Sequence, residues 1–215
     1  MRNRVPFVLP LVFVGNLLAQ TTQPVAVPGT SDPWLAGMPS GSSASCGAEG
    51  CDFAPAESSP GIAVTAGSTL SITATGLECY DPTPSCATGP DGNPSLVITH
   101  SDGAQNGMST ITAPANALLG VFLGPSQPSL MPPPTQLGPN AAPVLQQVFI
   151  IGSTSTVTVP AGATRLFFGP MDGYGWYDNY GSFTVTITPG CQVNVSPISQ
   201  FTGSPGSWGE THMTI

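Results

Sequence analysis

The stretch from Asp172 to Phe183 places Asp172, Asp178 and Asn179 within eight residues and separates the first from the others with Gly173 and Gly175. Two carboxylates and an amide on a backbone that glycine allows to turn sharply can aim several oxygens at one point. Hard oxygen donors, with no Cys or His among them, select calcium over zinc. Tyr174, Trp176, Tyr177 and Tyr180 share the loop, and such a ring, Trp176 foremost, can stack on the apolar face of a sugar. Acidic oxygens beside aromatic rings point to a carbohydrate held through a cation. The competing reading is a tight hairpin at Asp178-Asn179 whose rings cap a core.

Such a loop needs a frame. Leu70, Ile72 and Ala74 alternate with Ser71, Thr73 and Thr75, and Phe183, Val185 and Ile187 alternate with Ser182, Thr184 and Thr186. Period two with hydroxyls on one face marks half-buried strands. Similar runs at 95–99, 117–123, 144–151, 155–159 and 163–168 are bounded by Gly, Pro or Asn, and 61–64 and 193–195 read as edge strands. Seven to nine short strands without a convincing helix predict an all-β chain folded as an antiparallel β-sandwich. Residues 20–60, rich in Ser, Gly and Pro apart from Trp34, Leu35 and Phe53, predict a wrap over the surface held by these few apolar anchors. Residues 125–143, with Pro132 to Pro134, predict a long loop outside the central sheet, and 190–215 read as a C-terminal tail.

A chain of 215 residues is long enough for one domain with a core, and 26 Gly with 25 Pro exclude a long-helix protein. Its basic residues are Arg2, Arg4 and Arg165, with no Lys, against 11 acidic ones, for a formal charge of −8. A phosphate backbone demands clustered positive charge, so nucleic acid is not an expected partner. Residues 1–19 read as a secretory signal peptide: Met1 to Arg4 is basic, Val5 to Leu18 is mostly apolar, and Ala19 is small enough for cleavage before Gln20. A retained anchor helix is the alternative, although Pro6, Pro10, Gly15 and Asn16 interrupt the short apolar run. The expectation is an exported protein, secreted, periplasmic or at the cell surface, with no membrane insertion after cleavage. In an oxidising compartment Cys46 is expected to pair with Cys51 and Cys79 with Cys86, both within Gly/Pro-rich loops, leaving Cys191 over.

Leu166-Phe167-Phe168-Gly169 through Asp172, followed by Asp178-Asn179-Tyr180-Gly181-Ser182-Phe183-Thr184-Val185, resembles the C-terminal signature of the PA-I galactophilic lectin family, the bacterial calcium-dependent galactose-binding lectins. Upstream, Ser71 to Tyr80 is similar to the family's strand that ends in Gly and, four residues on, Tyr; Gly89-Pro90 and Ala117-Leu118-Leu119 also find counterparts. The resemblance runs in patches over residues 61–188. It implies a jelly-roll-like, galactose-binding-domain-like sandwich over 61–189 with one calcium ion at its edge. The ligands it implies are the main-chain carbonyls of Tyr80 and Gly175 and the side chains of Asp172, Asp178 and Asn179. Five protein ligands leave room among calcium's 6–8 oxygens for two sugar hydroxyls, whose hydrogen bonds Asp172 and Asp178 would accept. The implied partners are galactose-containing glycans, bound through several sites at once by homo-oligomerisation or surface display. His100 and Gln105 fall where the family has a sugar-contacting His and Gln, with altered spacing. Asp178 stands where the family has Asn, adding a charge, and Gly175 aligns only through an insertion before Asp172 and a deletion after it.

An enzyme is not expected. A glycosidase pair formed by Asp172 and Asp178 is one alternative, but carboxylates committed to a metal are poor general acids. The chain has no G-x-S-x-G, H-E-x-x-H or phosphate-loop pattern. A calcium-stabilised structural surface module without sugar binding is the other alternative. A Cys79–Cys86 bridge would fix the loop that presents the Tyr80 carbonyl, so its reduction is expected to weaken calcium binding.

Overall fold

The computed structural model describes residues 23–131 and 142–190. In chain order its strands are β1 (Gln23–Pro28), β2 (Ser43–Gly47), β3 (Gly50–Phe53), β4 (Gly61–Ala63), β5 (Thr69–Cys79), β6 (Asn93–Thr99), β7 (Thr112–Ala115), β8 (Leu118–Leu123), β9 (Val148–Ile150), β10 (Thr154–Thr158), β11 (Arg165–Pro170) and β12 (Tyr180–Pro189). Short 3-10 turns lie at Pro33–Leu35, Pro84–Cys86 and Trp176–Asp178. Among the described residues, no helix is long and apolar enough to cross a membrane.

Two four-stranded antiparallel sheets, ordered β1-β12-β5-β10 and β4-β11-β8-β9, form the sandwich. Their inner faces share one core, with Val27, Ile72, Phe183 and Val185 from the first sheet meeting Leu118, Phe122, Leu166 and Phe168 from the second. The alternation at 70–75 and 182–187 makes this possible, since apolar residues face inward while Ser and Thr face away. β5 and β12 pair without a break from Cys79–Tyr180 to Leu70–Pro189. The antiparallel sandwich read from the sequence is therefore the fold.

β8 is buried along its whole length, as a continuous apolar run covered on both faces should be. Leu119, Val121 and Leu123 turn away from the sandwich core into a second one, built with Trp34, Leu35, Met108, Ile111 and Trp176. Residues 33–54 and the segment from β6 to β7 supply this cover, each with its own two-stranded hairpin, β2–β3 and β6–β7.

The segment 20–60, expected as a wrap with a few apolar anchors, does more than wrap over its described residues. That segment gives the first sheet its edge strand β1, and it buries Trp34 and Leu35 completely. Pro24 and Pro28 disguise β1, yet an edge strand tolerates a missing N–H. Val27 is fully buried, so Val27→Ala is expected to lower stability by about 1.5–2.5 kcal/mol in urea unfolding. A loss below about 0.5 kcal/mol would mean that β1 contributes little to the core.

The runs at 95–99, 117–123, 155–159 and 163–168 become β6, β8, β10 and β11, each bound lying within two residues, and 61–64 becomes the edge strand β4. The run at 144–151 shortens to β9 because Val144 to Gln147 form a turn, with Gln146 at φ 64°. β7 escapes a period-two reading because of Pro114. Both expected disulfides, Cys46–Cys51 and Cys79–Cys86, are formed. The signal peptide over 1–19, Pro132 to Pro134, the strand at 193–195, Cys191 and the tail beyond Gly190 lie outside the described residues.

Candidate metal and ligand site

Pairing of Tyr180 with Cys79 brings Tyr80 and Asn179 together at one end of the first sheet. Asn116, buried and left-handed at φ 67°, ties the Asp172 segment to them. Its Oδ1 accepts from Tyr80 N at 3.1 Å, its Nδ2 donates to Cys86 O and Thr88 Oγ1 at 3.0 Å each, and its main-chain N donates to Met171 O at 2.8 Å. One residue thus fixes the Tyr80 loop to the neighbour of Asp172, and the Cys79–Cys86 bridge closes that loop.

Beyond Asp172, Gly175 takes φ 74° and opens the turn Trp176–Asp178. Asp52 on β3 accepts from Trp176 N at 2.9 Å and from Tyr177 N at 2.8 Å, one N–H for each carboxylate oxygen. Trp176 Nε1 donates to Pro170 O at 3.0 Å. The turn therefore directs Trp176 inward and leaves Tyr174 and Tyr177 54% and 37% exposed.

Tyr80, Asp172, Gly175 and Asp178 line one open cavity of about 580 Å³, shared with Glu49, Asp81, Tyr174 and Tyr177. Asn179 is buried, with Nδ2 donating to Gly29 O at 3.2 Å. Six buried side-chain atoms among the described residues have no hydrogen-bond partner, and four of them are Asp172 Oδ2, Asn179 Oδ1 and the two carboxylate oxygens of Glu78. A buried oxygen without a donor costs free energy, and a hard cation is the kind of partner these oxygens lack. Among the described residues no three His, Cys, Asp or Glu side chains are grouped to hold a metal unaided. The residues gathered here add an amide and main-chain oxygens to the carboxylates.

Burial lifts the Asp172 carboxyl to about 7, against a hydrogen bond from Gly173 that favours its charged form. Burial likewise lifts Glu78 to about 9, with the charge of Asp172 adding to it, and Asp52 to about 7. Asp178 is raised by partial burial and then by the charges of Glu49 and Asp81. A carboxyl whose pKa is higher folded than unfolded stabilises the native state when protonated, so stability falls as pH rises between the two values. His100 acts oppositely: burial lowers it to about 4, and its contribution is lost as pH falls from 6.5 toward 4. Above pH 7 the acids alone set the slope. In chelator, the melting temperature is expected to fall between about pH 7 and pH 9 as Glu78 titrates, stability dropping by up to about 1.4 kcal/mol per pH unit, Asp172 and Asp52 having lost most of their contribution below pH 7. A melting temperature that climbs across this range would contradict the burial of Glu78.

Of the side chains expected to contact sugar, His100, Trp176 and Gln105 lie away from the cavity. His100 is buried, stacked on Trp34 with ring centroids 3.6 Å apart and planes at 9°, and its Nε2 lies 3.1 Å from Ser45 Oγ. Trp176 is buried in the same aromatic group, its ring centroid 5.9 Å from that of His100. Neither ring keeps a face for a ligand. Gln105 is braced rather than free: Oε1 accepts from Ser45 N at 2.7 Å and Nε2 donates to Asp102 Oδ2 at 2.8 Å, and it does not line the cavity. The rings on the cavity wall are those of Tyr80, Tyr174 and Tyr177.

The sequence reading also passed over Glu78, Asn116 and Asp52. Glu78 had a signal, because it continues the inward register of Leu70, Ile72 and Ala74 on β5. Asn116 and Asp52 act through long-range contacts and left no local pattern.

Neither a family model nor a curated protein matches the chain. Among solved structures it is similar to the EclA N-terminal domain, a PllA-like lectin, at 17% identity over 78% of this chain and 95% of that chain, with a TM-score of 0.38. A superposition that loose transfers no residue's role.

Proposed function

We propose that the chain is an exported, calcium-dependent carbohydrate-binding protein of the galactose-binding type. The observation that carries this reading is the grouping of buried, unpartnered Asp172 Oδ2 and Asn179 Oδ1 beside a cavity walled by tyrosines and acids. Asp172, Asp178 and Asn179 would hold the ion together with the main-chain oxygens of Tyr80 and Gly175. When bound, calcium supplies coordination positions that two sugar hydroxyls can fill. Asp172 and Asp178 accept hydrogen bonds from those hydroxyls and so discriminate their arrangement. Tyr174 and Tyr177 offer exposed rings to the apolar face of the sugar, the part first given to Trp176. Asn116, Asp52 and the Cys79–Cys86 bridge hold the donor segments before any ligand arrives, which limits the ordering cost of binding. One shallow site binds weakly, so useful avidity comes from several sites acting together. The two disulfides fit an oxidising, exported setting.

The burial of His100 and Trp176 favours a second reading, a calcium-stabilised surface module without sugar binding. A glycan array run in calcium and in chelator separates the two. Signal on galactose-terminated glycans that vanishes in chelator supports the lectin reading, whereas a calcium-raised melting temperature with a blank array supports the surface module. Turnover of chromogenic galactosides would instead make the chain a hydrolase. Selective reduction of Cys79–Cys86 is expected to weaken calcium binding about tenfold, the loop's ordering cost having moved onto the binding step. Superimposable titrations before and after reduction would remove that role from the bridge.

A further inference from the structure

Four carboxylates line the cavity, those of Asp172 and Asp178 and those of Glu49 and Asp81, and among the described residues no Lys, Arg or His stands with them. Glu49 sits at the tip of the β2–β3 hairpin, which Cys46–Cys51 closes, and Asp81 in the loop that Cys79–Cys86 closes. Two disulfide-closed loops thus bring to one cavity the acids that the calcium reading leaves unused. Both side chains are exposed, and both act by charge on Asp178. Asp81 is steadied by its own loop, its Oδ1 accepting from Thr83 N and from Thr83 Oγ1 at 3.1 Å each. Tyr80, Tyr174 and Tyr177 share the wall. The Tyr174 ring stands where a side chain on Gly47 would be, beside the hairpin tip, and the Tyr177 ring packs 3.3 Å from where a Cβ on Gly175 would stand.

Asp172 is only 6% exposed, and its Oδ2, at this same cavity, has no hydrogen-bond partner, which marks the cavity as a place for a ligand rather than an acidic surface alone. Calcium held by Asp172 and Asp178 balances two of the four charges, and Glu49 and Asp81 remain. A second metal ion does not answer them, since among the described residues no three His, Cys, Asp or Glu side chains are grouped to hold one. Separate carboxylates with tyrosine rings beside them are instead the complement of an ammonium group, whose N–H bonds the carboxylates accept and whose charge the ring faces attract. We propose that the ligand is a glycan with a free amine, an amino sugar whose hydroxyls meet the calcium and whose ammonium is held by Glu49 and Asp81 beside the tyrosine rings. This rests on the calcium-dependent carbohydrate reading above and deepens it by naming the class of sugar. A neutral sugar gains nothing from these two acids, and an acidic one is repelled by them.

Calorimetry of the full chain, at neutral pH in saturating calcium, compares methyl galactoside, methyl galactosaminide with its amine free, and the N-acetyl form of the latter. The free amine is expected to bind about tenfold more tightly than the galactoside, and acetylation, which removes the charge, to cancel that gain. Raised sodium chloride should cut the preference, since both acids are exposed to screening. In the double variant Glu49→Gln/Asp81→Asn the preference for the amine should fall to about twofold or less. Equal affinity for amine and galactoside in the unsubstituted chain overturns the amine preference while leaving the lectin reading intact. A preference that survives in the double variant overturns the part given to Glu49 and Asp81. Failure of all the probes to bind in calcium overturns the lectin reading and this inference with it. The comparison of probes uses the unsubstituted chain, so it decides the amine preference whether or not the variant folds.

Discussion

Asp172→Asn should abolish calcium binding while leaving the calcium-free protein at least as stable as before. Asp172 is buried, and its Oδ2 has no hydrogen-bond partner. Substitution removes one charge and turns a donor toward the place where the ion must sit. The expected loss is at least about 100-fold in affinity, or about 2.7 kcal/mol. In the absence of calcium the same change is favourable, because a buried charge disappears and the new amide can donate to oxygens that now have no partner. The two halves of the prediction make it sharp: calcium no longer raises the melting temperature, yet the melting temperature in chelator holds or rises. A variant that simply melts early in both conditions would assign Asp172 a structural duty instead.

Asp52→Asn should unsettle the loop from outside it. Each Asp52 oxygen receives one main-chain N–H from the Trp176–Asp178 turn, and an asparagine can satisfy only one of them while its own amide opposes the other. At pH 8, where Asp52 with its pKa near 7 is mostly ionised, the expected destabilisation is about 2–4 kcal/mol in urea unfolding. Calcium affinity should fall with it, because the turn carries Asp178 and leads directly into Asn179. Unchanged affinity in a destabilised variant would show that the turn holds its shape without this cap.

These predictions draw on parts of the molecule that differed in how plainly the sequence announced them. Period two at 70–75 and 182–187 was enough to find β5 and β12, because one face is core and the other is Ser and Thr. The grouping of Tyr80 with Asp172, Gly175 and Asp178 was also legible, through the resemblance, and these residues line one cavity. The direction of the aromatic rings was not. Trp176 turns inward because Asp52 and Pro170 take its two N–H groups, and those partners reach it through the fold rather than through local spacing. His100 is hidden for the same reason, since the Trp34 ring it stacks on arrives from the cover layer. β1 and β7 were lost to their prolines, which are harmless on a strand that leaves an N–H unpaired. Glu78 was within reach, had the alternation been continued through Gly76 to the end of its strand.

An anomalous difference map from a crystal grown with calcium and galactose tests the cation site most directly. A single strong peak is expected among the Tyr80 carbonyl, Asp172 and Asn179, with two galactose hydroxyls completing its shell. A map with no peak there, in a chain whose Asp172 Oδ2 and Asn179 Oδ1 remain without a partner, would contradict the calcium reading.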